Sequence, residues 1–319
     1  MSDVVCLGIL VADVWGKPID EWPEKGRLSL VESMGIGVGG CAANSGLSLV
    51  KMGVDVAVMG KVGRDGFGSF VASEIEAAGA DVSGIGFDDE VGTSATMVMI
   101  DSGGERTFIH CIGANATVRP GELDMDLIRS AKIFDFAGAL VMPGFDGEPA
   151  ASVLAAAQDA GVVTCMDTVW DATGRWLELL APCLAHVDYF LPSMSEAVEI
   201  TGETEPGRVA QVLLDRGVGT VALKMGEEGC YVRSVDRELR IPAYLVEAVD
   251  GTGSGDAFVA GFIQGLLKGW DLEDTAHFAG AVGALCVTGI GTTAGVRDFA
   301  GTIDFLVERD GDRWLVMNS

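Results

Sequence analysis

The chain has 319 residues, of which 49% are hydrophobic, and a formal net charge of −26 at pH 7. At roughly 150 residues per domain, that length suits one large α/β unit with a smaller piece, and the apolar content supports a sizeable core. The acidic balance argues against a nucleic-acid backbone or an anionic membrane surface as partner.

The first element, "VVCLGIL" (4–10), reads as a buried strand with no basic leader before it, so a signal peptide is not expected. Residues 14–38 follow, with Pro18 and Pro23 among glycines and no helical period. Next come a helix, "CAANSGLSLVKMG" (41–53), a strand, "DVAVMGKVG" (55–63), and a helix, "GSFVASEIEAAG" (68–79). Residues 91–119 break the alternation again: "TSATMVMID" and "RTFIHCIG" read as half-polar strands around the turn "SGGE". Strands then read at "IFDFAG" (133–138), "VVTCMD" (162–167), "VDYFLP" (187–192) and "TVALKM" (220–225). Helices read at "EPAASVLAAAQDAG" (148–161) and "SEAVEITG" (195–202). A strand-like "RIPAYLVEAV" (240–249) leads into the helix "GDAFVAGFIQGLLKG" (255–269), and "FAGAVGALCVTGI" (278–290) is too short for a bilayer and reads as a buried helix. Such alternation predicts a mostly parallel sheet covered by helices on both faces. The two insertions, about 14–38 and 91–119, are predicted to meet as a small β lid. The seven cysteines include no C-x-x-C pair and the three histidines stand far apart. Reduced thiols of a cytoplasmic protein are therefore expected, and a zinc site is not.

The stretch "DGTGSGDAF" (250–258) carries the chemistry. It precedes an apolar-periodic helix, where unpaired N–H groups and the positive end of the helix dipole favour an anion. It is not a Walker A loop, which needs G-x-x-x-x-G-K-[ST]. It is not a dinucleotide fingerprint either, because Asp256 stands where the last glycine belongs. Asp256 could simply cap the helix. It could also accept the proton of a substrate hydroxyl while the N–H groups of Gly253, Ser254 and Gly255 hold a transferring phosphoryl group.

With that loop in view, the chain resembles the ribokinase-like, or PfkB, family of carbohydrate and nucleoside kinases. The family's D-T-x-G-A-G-D is matched by Asp250-Gly251-Thr252-Gly253-Ser254-Gly255-Asp256, and its N-terminal Gly-Gly pair and Asn by Gly39, Gly40 and Asn44. "GKVGRDGFG" (60–68) and "GAN" (113–115) resemble further family segments in the same order. The resemblance implies a ribokinase-like three-layer αβα domain over 1–319 with a mostly parallel sheet and a β-strand lid. It implies an ATP-dependent sugar kinase transferring the γ-phosphoryl group to a sugar hydroxyl, with Asp256 as general base and Gly253, Ser254 and Gly255 as the anion hole. Asp13, Gly39, Gly40 and Asn44 would grip the acceptor beside Asp256. Lys224, Gly226 and Gly280, with Gly253 and Gly255, would face the nucleotide, and Glu196 would organise Mg2+. A K+ site near Asp250 and the 288–295 loop, and a homodimer formed through the lids, are also implied.

Three departures bear on this. Ser193 stands where the family's N-x-x-E has Asn, and S-x-x-E is equally a capping box. Gly280 replaces a common Asn in the last helix, and Cys41 stands where true ribokinases carry Lys. Lys224 reads either as a phosphate-facing group or as a solvated strand end, and His110 either as a satisfied strand histidine or as a group facing the substrate. A nucleoside kinase of the same fold and a non-catalytic sugar- or nucleotide-binding regulatory protein are the competing readings.

Overall fold

A computed structural model describes residues 2–318, and among these the strands form two sheets. The chain opens with β1 (Val4–Gly8), then β2 (Val11–Lys17), β3 (Ser33–Gly39), α1 (Cys41–Lys51), β4 (Val56–Gly63), α2 (Gly66–Ala77) and β5 (Asp81–Asp88). There follow β6 (Ala95–Ile100), β7 (Arg106–Cys111), α3 (Met125–Ser130), β8 (Ile133–Ala139), α4 (Glu148–Asp159), β9 (Val163–Thr168), α5 (Trp176–Leu184), β10 (Tyr189–Phe190), α6 (Met194–Thr201) and α7 (Pro206–Leu214). The chain closes with β11 (Thr220–Lys224), β12 (Cys230–Ser234), β13 (Glu238–Ile241), α8 (Ser254–Leu267), α9 (Leu272–Cys286) and α10 (Phe299–Asp310).

The large sheet has nine strands in the order β13-β12-β11-β10-β9-β8-β1-β4-β5, parallel from β11 to β5 with an antiparallel β11-β12-β13 edge. Every residue of β1 and β8 is buried, as expected of parallel strands covered on both faces. Phe134, Phe136, Phe190, Phe262 and Phe278 anchor the core from strands and helices, each contributing roughly 1.5–3 kcal/mol by burial. No described helix is long and apolar enough to cross a membrane.

The two insertions do meet. They form a separate four-stranded sheet, β3-β2-β6-β7, antiparallel except for the β2–β6 pair. The predicted strand over 240–249 is corrected: β13 stops at Ile241, because Pro242 has no N–H to extend the ladder, and the chain then runs irregularly to the anion loop. That loop therefore lies between irregular chain and helix, not directly after a strand.

Helix starts divide into two kinds. α2, α9 and α10 are closed by aspartates, with Asp65, Asp271 and Asp298 accepting from N3 amides. α1, α4 and α8 instead begin on Gly40, Gly147 and Gly253, all at positive φ and without a side-chain cap. Gly40 lies against Ile9 and Leu10, just past the end of β1, and Gly255 of α8 lies beside Lys224 at the end of β11, so these two starts sit at the carboxyl ends of parallel strands, where ligands bind in open α/β sheets.

Candidate active site

Asp256 lies in the first turn of α8. Asn44, buried in α1, donates from Nδ2 to Asp256 Oδ2 at 2.8 Å, and the Ser45 hydroxyl donates to the Asp256 carbonyl at 3.4 Å. The carboxylate is thus held from the side by α1 while its helix is open at the end. The Asn44 Oδ1 is buried without a protein partner, which leaves an acceptor at the site.

The cradle is narrower than expected. Ser254 spends its hydroxyl on the Gly251 carbonyl at 2.9 Å, and its N–H makes a long 3.4 Å bond to the same oxygen. Among the described residues, no acceptor takes the N–H of Gly253 or Gly255. Gly253 has φ +80, and a Cβ there would strike the Thr292 carbonyl. The position therefore demands glycine twice over.

On the lid side, Asp13 sits in β2 opposite Gly37 of β3 and Thr96 of β6. Its carboxylate occupies the space that a Gly39 side chain would fill, and Gly40 follows at the start of α1. Burial pushes the Asp13 carboxyl upward against a hydrogen bond from Thr96. The Thr96 hydroxyl also lies 3.1 Å from His110 Nδ1, so His110 extends this row on the same face of the lid. Burial lowers its pKa, which keeps the imidazole neutral at pH 7.

On the other side of the loop, Lys224 ends β11. A Cβ on Gly255 would lie 3.3 Å from its Nζ, which places the ammonium against the cradle. The side chain is only 13% exposed and meets both oxygens of Asp167 at 2.8 Å. Burial alone would lower its pKa. Asp167, with Glu196 and Asp256 behind it, more than reverses that and keeps Lys224 charged. A solvated strand end is therefore not what this lysine is. Lys224, Gly226, Ser254, Gly255 and Gly280 line one cleft of about 380 Å³. Its wall includes Tyr244, whose ring passes 3.7 Å from where a Gly280 Cβ would stand. A second, more open hollow lies beside Val163, Tyr189 and Thr220 at the amino ends of β9 to β11, the end of the sheet away from this chemistry.

Ser193 and Glu196 do form the capping box at the start of α6. Glu196 Oε2 accepts from Ser193 N at 3.0 Å and from the Thr168 hydroxyl at 3.1 Å, while Oε1 makes no hydrogen bond among the described residues. Among the described residues no group of three metal-ligating side chains exists, so a direct three-ligand cage is absent. One carboxylate with a free oxygen, on the same side as the uncapped start of α8 and Lys224, would suit a hydrated Mg2+ that keeps most of its waters. The expected K+ site fits less well: Asp250 accepts from Thr252 N at 2.9 Å and Gly291 N at 2.7 Å, and its remaining charge is met by Arg106.

The structure thus brings Asp13, Gly39, Gly40, Asn44 and Asp256 to one side of the loop, and Lys224, Gly226, Gly255 and Gly280 to the other. Sequence reasoning missed Asp167, Arg106 and Tyr244. Asp167 ends a predicted buried strand, a signal that could have found it. Arg106 and Tyr244 are brought in by tertiary packing alone.

Comparison with known proteins shows the family and the fold. A family model described as pfkB family carbohydrate kinase matches residues 1–298. The probable fructokinase-5 of Arabidopsis thaliana is 30% identical over 287 residues, covering 85% of this chain and 89% of the relative. An ATP-dependent ribose-1-phosphate kinase of Halopiger xanaduensis is 30% identical, covering 84% of this chain and 86% of that one. The structure of Arabidopsis thaliana ribokinase complexed with ribose and ATP superposes with a TM-score of 0.85 at 23% identity, covering 96% of this chain and 98% of that chain, and shares the fold.

Proposed function

The chain belongs to the pfkB family of carbohydrate kinases, and we propose that it moves the γ-phosphoryl group of ATP to a hydroxyl of a sugar with Asp256 as general base. The observation that carries this reading is the seat of Asp256: a carboxylate in the first turn of an uncapped helix, held by Asn44, with Asp13 and Gly39 on one side and Lys224 on the other. A carboxylate that only capped the helix would accept from the helix's own N–H groups. This one accepts from Asn44 on another helix.

Asp13 accepts hydrogen bonds from acceptor hydroxyls, since one carboxylate can serve two neighbouring hydroxyls of a polyol. Asp256 takes the proton of the reacting hydroxyl. The N–H groups of Gly253 and Gly255, with the ammonium of Lys224, receive the negative charge of the transferring group. Tyr244 and Gly280 leave room for the nucleotide base. Glu196 would hold a hydrated Mg2+, which would neutralise phosphate charge when bound. The protein acts as a homodimer joined through the lids.

An acceptor screen with ADP as readout tests the reading. Asp256→Asn should lower kcat by about 10²–10⁴-fold while leaving acceptor KM nearly unchanged. Parental turnover in that variant would remove Asp256 from the mechanism. Trp15 supports a second reading, a nucleoside acceptor, because its ring lies over Gly35 on the Asp13 face and can stack on a base. Turnover of nucleosides in preference to free sugars in the same screen would favour it.

A further inference from the structure

Asp250 begins the anion loop, and its side chain is 1% exposed. A buried carboxylate needs a counter-charge. Here that charge comes from the lid: Arg106 of β7 forms an ion pair with Asp250 and donates from the same Nη1 to the Thr252 hydroxyl. Burial would raise the Asp250 pKa, but Arg106 and the amides of Gly291 and Thr252 hold it below the ordinary range. The carboxylate is therefore charged, and both its oxygens are engaged. A monovalent cation at this carboxylate would have to displace or crowd a guanidinium that already carries the charge.

Arg106 lies in register with Ile100 on the lid face that also carries Asp13. The side chain that neutralises the loop and the carboxylate that faces the acceptor thus belong to one small sheet. If the lid moved away, Asp250 would lose its ion-pair partner and Thr252 would lose a donor, beside Gly253 and the helix start. We infer that Arg106 is a positioning residue: it supplies from the lid the positive charge that orders the phosphate cradle, and the enzyme needs no monovalent cation there. This inference rests on the phosphoryl-transfer reading.

The test compares wild-type turnover in choline chloride and in KCl at equal ionic strength, using an acceptor found in the screen. The two rates should agree within about two-fold. Arg106→Met should lower kcat about 10²-fold, the cost of a slightly misplaced catalytic group, with acceptor KM little changed. Arg106→Lys, or guanidinium added to the Met variant, should restore part of that loss, which a merely structural role would not allow. Activation of the wild type by K+ of about five-fold or more, or parental kcat in Arg106→Met, overturns the inference. The wild-type comparison stands even if the Met variant does not fold. A protein that turns over no acceptor in any salt fails the phosphoryl-transfer reading instead.

Discussion

Asp135, at the middle of β8, is fully buried, and among the described residues only the weakly donating Cys6 thiol offers its carboxylate a hydrogen bond. It stands in register with Cys6 of β1 and Cys165 of β9, so thiols flank it. Burial, then the nearby charges of Asp167 and Asp256, push its pKa well above the ordinary carboxylate value, which favours the neutral acid. An unfolded Asp loses its proton near pH 4, at about 3.9. Between that pH and the raised folded pKa, the native state binds one more proton than the unfolded state. Stability therefore falls as pH rises, by up to about 1.4 kcal/mol per pH unit from this group. Asp135→Asn removes that slope. Thermal unfolding from pH 6 to 9 should show a flatter Tm profile for the variant, and parallel profiles would show that Asp135 does not titrate this way. Single residues were unevenly legible in the sequence. Asp256 stood out because a carboxylate in a glycine-rich helix start needs a reason. Asp135 lay unnoticed inside the buried strand "IFDFAG", and Lys224 was ambiguous until Asp167 supplied its partner.

Elements were more legible than residues, because burial periodicity is local and pairing is not. The lid insertions were visible as breaks in the alternation, whereas residues 242–249 read as strand because apolar composition alone does not reveal a missing partner. Strand β3, "SMGIGVG", shows what pairing adds. Side chains alternate along a strand, so Gly35, Gly37 and Gly39 share the face of Asp13 and Trp15. The Trp15 ring fills the place of a Gly35 side chain and the Asp13 carboxylate that of Gly39, while a Cβ on Gly37 would meet nothing within 4 Å. The bare strand therefore leaves a slot opposite Asp13, which the proposed acceptor would enter. Gly37→Val fills it without penalising the strand, since valine suits β structure better than glycine. Acceptor KM should rise about ten-fold or more, with the KM for ATP little changed. Steady-state kinetics with both substrates varied would check this, and an unchanged acceptor KM would remove the slot from the binding site.

For the whole molecule, the opposite face of the lid poses a problem of exposed apolar surface. The alternation that turns Asp13 and Arg106 toward the site turns Met34, Ile36, Met97 and Ile109 away from it, and their exposures are 68%, 39%, 53% and 45%. Four large apolar side chains on one small sheet form the kind of patch that marks an interaction surface. A second copy of the same face would cover it and shelter the edge strands β3 and β7. Charge opposes such pairing, because each protomer carries −26. Two such bodies repel at long range, and salt screens the repulsion over a Debye length of about 10 Å at 0.1 M. Burial of the apolar patch is not screened. Dimerisation through the lids should therefore tighten as NaCl rises from about 0.05 to 0.5 M, the reverse of an interface held by ion pairs. Sedimentation equilibrium of the 33.2 kDa chain would measure this. Ile109→Glu should abolish association at every salt concentration, because it buries an unpaired charge within the patch. The wild type remaining monomeric at all salt concentrations, or an Ile109→Glu variant that dimerises as the parent does, would place the interface elsewhere.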